Sequence, residues 1–357
     1  MFPSYKNNPR RFLFGDLIGI LLPGLTVLII VFAVIRISWY AMVPQPDLKG
    51  ESAVYLCIPT GSDFSTVRNL LVSKAHIRHP EAFTWLANRK KYPEKVKPGR
   101  YKIADGMRNN ELINLLRSGR QEAVRIIIQN FRTPEELAGR IGKSLEIDSA
   151  RLIRLFRDDH FLEKYGLTQP TLFIYFIPDT YHLYWNTSGD GLFRRMEREF
   201  GKFWNGERRR KADSLKMTIP EIVTLASIVE KETNKIDEKP RIAGVYYNRL
   251  RNNIPLQADP AIIFAWKDYS IRRVLNFHLK INSPYNTYLH TGLPPGPICI
   301  PSIASVDAAL RPENHEFLYF CAREDLSGYH SFARTLGEHN LNARKYQHAL
   351  DILNIKR

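Results

Sequence analysis

Cysteine is scarce in this sequence: three residues in 357, at Cys57, Cys299 and Cys321. An odd, sparse count excludes a disulfide framework and leaves room for a single pair, such as Cys299 with Cys321. No Cys/His spacing suited to zinc accompanies them. No internal repeat or low-complexity tract stands out. Acidic residues are also short in supply, 36 Asp plus Glu against 52 Lys plus Arg, a formal charge of +16. An excess of that size attracts something anionic: nucleic acid, a membrane surface or a carboxylate-rich polymer. The remaining proportions, 44% hydrophobic and 25% charged, are globular and exclude a disordered chain. The length fits about two or three domains.

Charge is missing altogether from Leu17 to Ile35, LIGILLPGLTVLIIVFAVI. About 20 apolar residues span a bilayer core of roughly 30 Å, and Pro23 and Gly24 are tolerated inside such a helix. A cleaved signal peptide is the competing reading, but its apolar core is only about 7–15 residues and ends in a small-x-small site. Here the run is longer and exits through Arg36-Ile37-Ser38-Trp39-Tyr40, so an uncleaved transmembrane helix over 17–37 is expected. Trp39 and Tyr40 suit the far interface. Lys6, Arg10 and Arg11 precede the span and only Arg36 follows closely. The positive-inside bias then keeps a tail, 1–16, in the cytoplasm and exports the rest into the periplasm, anchored in the inner membrane. Export removes nucleic acid as a partner and leaves lipid headgroups or wall polymer.

A linker, 38–50, leads into the exported body. A strand at 53–59, helices at 64–75 and 81–88, a turn and strand at 97–103 and a helix at 109–119 follow from apolar spacing and turn residues. That strand–helix–helix–strand order, over 51–121, looks like a LysM-like glycan-binding module; a plain spacer is the alternative. A linking region, 122–215, opens with a strand at 123–130 and helices around 134–144 and 148–157. It then carries an unusually aromatic stretch at 171–185 and a basic helix over 191–214. The last segment, 216–357, is the expected catalytic domain. Short strands and helices without regular βαβ alternation give an α+β class.

Thr218-Ile219-Pro220-Glu221 fits a capping box with Pro in the first turn, and the helix proceeds IPEIVTLASIVEKETNK. Ile222, Leu225, Ala226, Val229 and Thr233 share a face. At about 100° per residue, Glu230 and Glu232 lie roughly 80° to either side of it, while Lys231 points into water. A carboxylate at the edge of an apolar face is partly desolvated, which raises its pKa toward acid catalysis near neutrality. Periodicity does not choose between the two glutamates, and geometry alone favours two surface carboxylates paired with Lys231 and Lys235.

ASIVEKET (226–233), AGVYYNRL (243–250), IPLQADPAI (254–262), SPYNTYLHTGLPPGPI (283–298) and LYF (318–320) occur in fixed order. This ordered set resembles the endolytic murein transglycosylase family, strongly over about 218–345 and weakly over 50–120. The resemblance implies single-pass membrane enzymes that cut peptidoglycan glycan strands internally. It aligns the family's catalytic glutamate with Glu230 and leaves Glu232 a supporting carboxylate. It also places Gln257, Asp259, Asn248, Tyr285 and Asn286 in the substrate cleft, where amides can donate to and accept from acetamido groups. For Asp259, capping a turn is the rival role, and for Asn248, Tyr285 and Asn286 it is satisfying a buried backbone group. GLPPGP (292–297) reads as a rigid loop shaping the groove, and His330 and His339 as structural. One departure stands out: Leu172-Phe173-Ile174-Tyr175, ahead of PDTY, lacks the acidic residue and glycine usual in the family.

Glycoside hydrolysis needs two carboxylates, and here one strong candidate is expected. A lytic transglycosylase manages with one and needs neither a metal nor an organic cofactor. Its carboxyl protonates the leaving oxygen of the β-1,4 bond between N-acetylmuramic acid and N-acetylglucosamine. It then takes the proton of the muramyl 6-hydroxyl as a 1,6-anhydro ring closes. The resemblance further implies partnership with peptidoglycan synthases. A non-catalytic wall-binding scaffold and a muramidase-type hydrolase are the alternatives.

Overall fold

A single helix, α1 (Phe12–Met42), opens the computed structural model, which describes residues 12–352. Lys6, Arg10 and Arg11, which carry the expected orientation, lie outside the described residues. Pro23 sits inside α1 without ending it. Apolar side chains from Leu25 to Ile37 stand exposed, so no protein core accounts for this run. The helix is long and apolar enough to cross a membrane.

The described chain divides into two compact units at residue 123, with 184–186 joining the first. The first unit continues from α1 through β1 (Ala53–Ile58), α2 (Phe64–Lys74), α3 (Pro80–Arg89), β2 (Gly99–Ala104) and α4 (Asn109–Ser118). The two strands pair antiparallel, Ala53 opposite Ala104 and Ile58 opposite Gly99. Leu56, Ile58, Tyr101 and Ile103 turn one face of this ribbon onto α2, α3 and α4, where Leu71, Phe83 and Leu112 complete a closed core. Asp63 caps α2, its carboxylate accepting from Thr66 N, and left-handed Gly119 ends α4. Elements fall within a residue or two of their expected places. The stretch expected as a linker is not free: Val43, Gln45 and Leu48 are buried in this unit.

The second unit begins with β3 (Ala123–Ile128), α5 (Pro134–Gly142), α6 (Ser149–Phe156), α7 (Asp159–Glu163) and β4 (Asp179–Tyr184), which pairs with β3. The expected basic helix over 191–214 is two helices, α8 (Gly189–Phe203) and α9 (Gly206–Ser214). Asn205 breaks the run because its side chain accepts from Arg208 N and starts α9. Then come α10 (Ile219–Glu232), α11 (Lys239–Arg251), α12 (Asp259–Trp266), α13 (Ile303–Leu310), the hairpin β5 (Tyr319–Ala322) and β6 (His330–Ala333), and α14 (Leu336–Ile352). The mixture is α+β, as expected. One core gathers the aromatic residues Phe156, Phe161, Phe176 and Phe193 under α5–α8. The other packs around α10, with Trp204, Tyr246 and Leu256.

The capping box at Thr218 and Glu221 forms as the sequence predicts. The single apolar stripe does not. Every residue from Ile222 to Val229 is buried, because α10 is the central helix of its core. A helix apolar all round carries no facial information.

Candidate active site

Glu230 stands on the last turn of α10, its side chain 13% exposed. Four donors converge on Oε2: Lys239 Nζ at 2.8 Å, Ser302 N at 3.3 Å, and the hydroxyls of Ser302 and Ser305. Oε1 accepts from Asn130 Nδ2 at 2.7 Å. The carboxylate is therefore unequally held, saturated on one oxygen and single-partnered on the other.

Local structure explains each donor. Lys239 is the first residue of α11, and its buried Nζ also donates to Ser305 Oγ at 2.7 Å. The preceding Glu238 is buried and fastened to β6, accepting from His330 N at 2.8 Å and meeting His330 Nδ1 at 2.8 Å. Ser302 is the N-cap of α13, so Glu230 sits at a helix N-terminus, where positive potential favours an anion. The segment before it is strapped along α10: Ile298 N donates to Ser227 Oγ at 3.0 Å. It also fixes the end of β3's extension, with Ile300 N donating to Phe131 O at 2.9 Å, which brings Asn130 to Glu230.

Burial pushes the Glu230 carboxyl up, but the hydrogen bonds from Lys239, Ser302 and Ser305 and the lysine's charge outweigh it. Its pKa lies below the ordinary carboxylate value. This corrects the expectation of a raised pKa: the apolar surroundings are there, and so is a buried cation that sequence spacing did not reveal. Glu232 carries the elevated value instead. Burial raises it, the Tyr246 hydroxyl lowers it by donating to Oε1, and the charge of Asp259 raises it further, to about 7.

Lys231 does not point into water. It is half-buried, its Nζ donating to Asn130 Oδ1 at 2.6 Å. That bond fixes which way the Asn130 amide faces, so that Nδ2 meets Glu230. Lys231 also lines a cavity of about 70 Å³ with Arg132, Pro260, Phe264, Tyr269 and Ile298.

The residues assigned to the cleft divide into two groups. Gln257 and Asp259 are exposed, at the start of α12, with Gln257 in a left-handed conformation (φ 52°) and its Oε1 accepting from Arg249 Nη1 at 3.0 Å. Asp259 makes no cap on α12; it accepts from the Tyr288 hydroxyl at 2.6 Å. Tyr285 is half-buried, its ring 4.7 Å from that of the cavity residue Phe264. Asn248 and Asn286 differ. Asn248 Nδ2 donates to His315 O at 2.7 Å and Phe317 O at 3.0 Å. Buried Asn286 donates to Leu279 O and Ile281 O and accepts from Tyr288 N and Leu289 N. Both amides spend their Nδ2 donors on backbone carbonyls. Asn130, Lys239, Ser302 and Ser305 were not singled out from the sequence.

Leu172, Phe173 and Ile174 are buried in a single turn. Phe173 and Ile174 line a small apolar cavity with Pro301, Ile303 and Val306, the neighbours of Ser302. Phe173 and Ile174 are thus an apolar support for the loop that holds Glu230. None of the three cysteines, all of them among the described residues, forms a disulfide, so Cys299 and Cys321 do not pair.

No group of His, Cys, Asp and Glu suited to a metal ion occurs among the described residues. One carboxylate, cradled by protein donors at the end of a buried helix, can take up and release a proton here. The chain belongs to the YceG-like family, whose model matches residues 56–345. It is similar to the endolytic murein transglycosylase of Bacillus subtilis (strain 168), 28% identical over 319 residues, covering 84% of this chain and 86% of that protein. It is also similar to the endolytic murein transglycosylase of Streptococcus pneumoniae (serotype 2, strain D39), 25% identical, covering 84% of this chain and 59% of that longer protein. Among solved structures, a crystal structure of a yceG-like protein from Listeria monocytogenes matches with a TM-score of 0.54 and 27% identity, covering 81% of this chain and 98% of that one. The family resemblance read from the ordered motifs is thus borne out.

Proposed function

We propose that this chain is a membrane-anchored lytic transglycosylase that cuts glycan strands of peptidoglycan internally, with Glu230 as its catalytic acid and base. The observation that carries this reading is the sheltered, unequally held carboxylate of Glu230. Oε2 is saturated, so the proton in transit sits on Oε1, the oxygen facing only Asn130. Protonated Glu230 delivers that proton to the glycosidic oxygen as the bond from the muramyl anomeric carbon to it breaks. The muramyl 6-oxygen then bonds to the anomeric carbon, and its proton returns to Oε1. Atoms balance without water, and the nucleophile is tethered to the reacting sugar, which removes part of the entropic barrier.

The resting carboxylate is ionised, so the productive enzyme is the minor protonated form. Lys239, Ser302 and Ser305 stabilise the anion that appears after the first proton transfer, a preorganised electrostatic contribution. Gln257, Asp259 and Tyr285 are our candidates for contacts to the glycan; Asn248 and Asn286 hold the loops around it. Glu232 shapes the field from the same helix end. Anchored by α1 with its body outside the inner membrane, such an enzyme meets nascent strands beside peptidoglycan synthases, where cutting sets glycan length.

The test is digestion of purified glycan strands by the full chain and by Glu230→Gln. Strand shortening by the first and none by the second supports the reading. Equal shortening by both refutes the assignment, and no shortening by either leaves the wall-binding scaffold as the better description.

A further inference from the structure

The end of α1 is not followed by a free tether; it is built into the first unit. Asn109 Nδ2, buried at the start of α4, donates to Tyr40 O at 2.7 Å and to Ala82 O at 3.1 Å. Asn109 N donates to Val43 O at 3.0 Å, Gln45 N to Met107 O at 3.1 Å, and Arg78 N to Gln45 O at 2.7 Å. Gln45 is fully buried, and its Oε1 accepts from His79 N at 3.1 Å. Backbone and side chain together fix α3 and α4 against the last turn of the apolar helix.

This junction carries an aromatic cluster shared by the helix and the module. Tyr40 and Trp85 of α3 have ring centroids 5.0 Å apart, and Trp39 meets the His79 ring edge-on at 5.2 Å. The Arg89 guanidinium lies over Trp85 at 5.4 Å, and Arg36 donates to the Tyr40 hydroxyl at 3.2 Å. Of the charged groups around the cluster, Arg78 pairs with Asp47 and His79 lies 3.6 Å from Glu81. Arg36 and Arg89, both exposed, have no carboxylate partner among the described residues.

Depth follows from length, on the reading that α1 spans the membrane. The charge-free run Leu17–Ile35 has 19 residues, and at about 1.5 Å each it fills a bilayer core of roughly 30 Å. Tyr40, four residues past Arg36, then stands about 6 Å into a headgroup layer that is about 5–8 Å thick. A ring packed on Tyr40 shares that depth. Tryptophan and arginine are the residues that settle there, one with an apolar body and a polar tip, the other with a cation for phosphate.

We infer that α3 of the first unit lies in the headgroup layer, with Trp85 as an interfacial anchor and Arg36 and Arg89 binding the phosphates of anionic phospholipids. The module is then seated on the membrane surface, and its distance from the bilayer is fixed by packing at Tyr40, Trp85 and Asn109.

The full chain reconstituted in phosphatidylcholine vesicles, with and without phosphatidylglycerol, tests this. With a nitroxide quencher on the lipid headgroup, Trp85→Phe loses a share of quenchable emission comparable with that lost by Trp39→Phe. Quenching that falls in Trp39→Phe but is unchanged in Trp85→Phe overturns the inference while leaving the span intact. Release of the protein by alkaline wash overturns the spanning reading, and the inference with it. Hydrogen exchange of residues 79–89 slows when phosphatidylglycerol is added, and Arg36→Gln/Arg89→Gln removes that slowing. Exchange indifferent to phosphatidylglycerol in the unaltered chain overturns the phosphate assignment.

Discussion

Lys239 Nζ lies 2.8 Å from Glu230 Oε2, with only 5% and 13% of the two side chains exposed. This buried ion pair fixes the resting charge of the site. Removing one partner leaves the other charged and uncompensated, which costs about 3–5 kcal/mol. Lys239→Met is therefore expected to lower the melting temperature. It also lets burial dominate Glu230, whose pKa rises. The proposed chemistry starts from the protonated form, so in the unaltered enzyme kcat/KM increases as pH falls from neutrality toward the depressed pKa. In Lys239→Met that rise begins at a higher pH, because burial is no longer offset by the lysine. A pH–rate profile of both proteins reads the difference.

Glu232 predicts the opposite sign for stability. Its folded value, about 7, is above the reference of 4.5. The folded protein keeps this proton where the unfolded chain has lost it, so stability falls as pH rises from about 4.5 to 7. The difference of 2.5 corresponds to about 3 kcal/mol. Glu232→Gln flattens this dependence and raises the melting temperature at pH 8 more than at pH 5, a comparison that thermal melts at the two pH values make directly.

Asn248 and Asn286 are expected to matter for stability. Truncating Asn248 to Ala leaves His315 O and Phe317 O without this donor, at about 1–3 kcal/mol for each carbonyl left unsatisfied. Asn286→Ala acts similarly through Leu279 O and Ile281 O. Denaturant unfolding should show the loss in both, while kcat/KM of the folded fraction stays near that of the unaltered enzyme. A selective loss of kcat/KM at full stability would return either residue to the substrate.

Gly244, inside the AGVYYNRL motif, is there for closeness. A Cβ at this position would stand 2.5 Å from Glu313 O and 2.6 Å from His315 Nε2. Gly244→Ala must push α11 off this segment, an overpacking cost of about 1–3 kcal/mol. Calorimetry of that variant checks the prediction.

Much of this arrangement was legible in the sequence, and the failures share a cause. Capping residues, turn glycines and apolar spacing placed α2 to α6, α10 and the strands β1 and β2, because those signals act within a few residues. Thr218 and Glu221 start α10 as expected. The wheel misjudged Lys231, however, because α10 is enclosed on every side and its polar end faces other segments. Asn130 lies 100 residues before Glu230, and Ser302 and Ser305 lie 72 and 75 residues after it. No local pattern links them, and the cradle exists only once the strap at 298–302 is laid along α10. The motif resemblance pointed to Glu230 without revealing what holds it. A buried lysine nine residues on reverses the pKa that apolar neighbours alone would give.

The central claim is that one carboxylate moves a proton out and back while a sugar closes on itself, and the ends left on the cut strands record it. Mass spectrometry of glycan strands digested by the full chain, beside Glu230→Gln and the charge-balanced Glu230→Gln/Lys239→Met, reads those ends. The account predicts 1,6-anhydro-muramyl ends from the unaltered enzyme and uncut strands from both variants, with the double variant recovering stability but not cleavage. Reducing muramyl ends, or cleavage that survives in either variant, would contradict it.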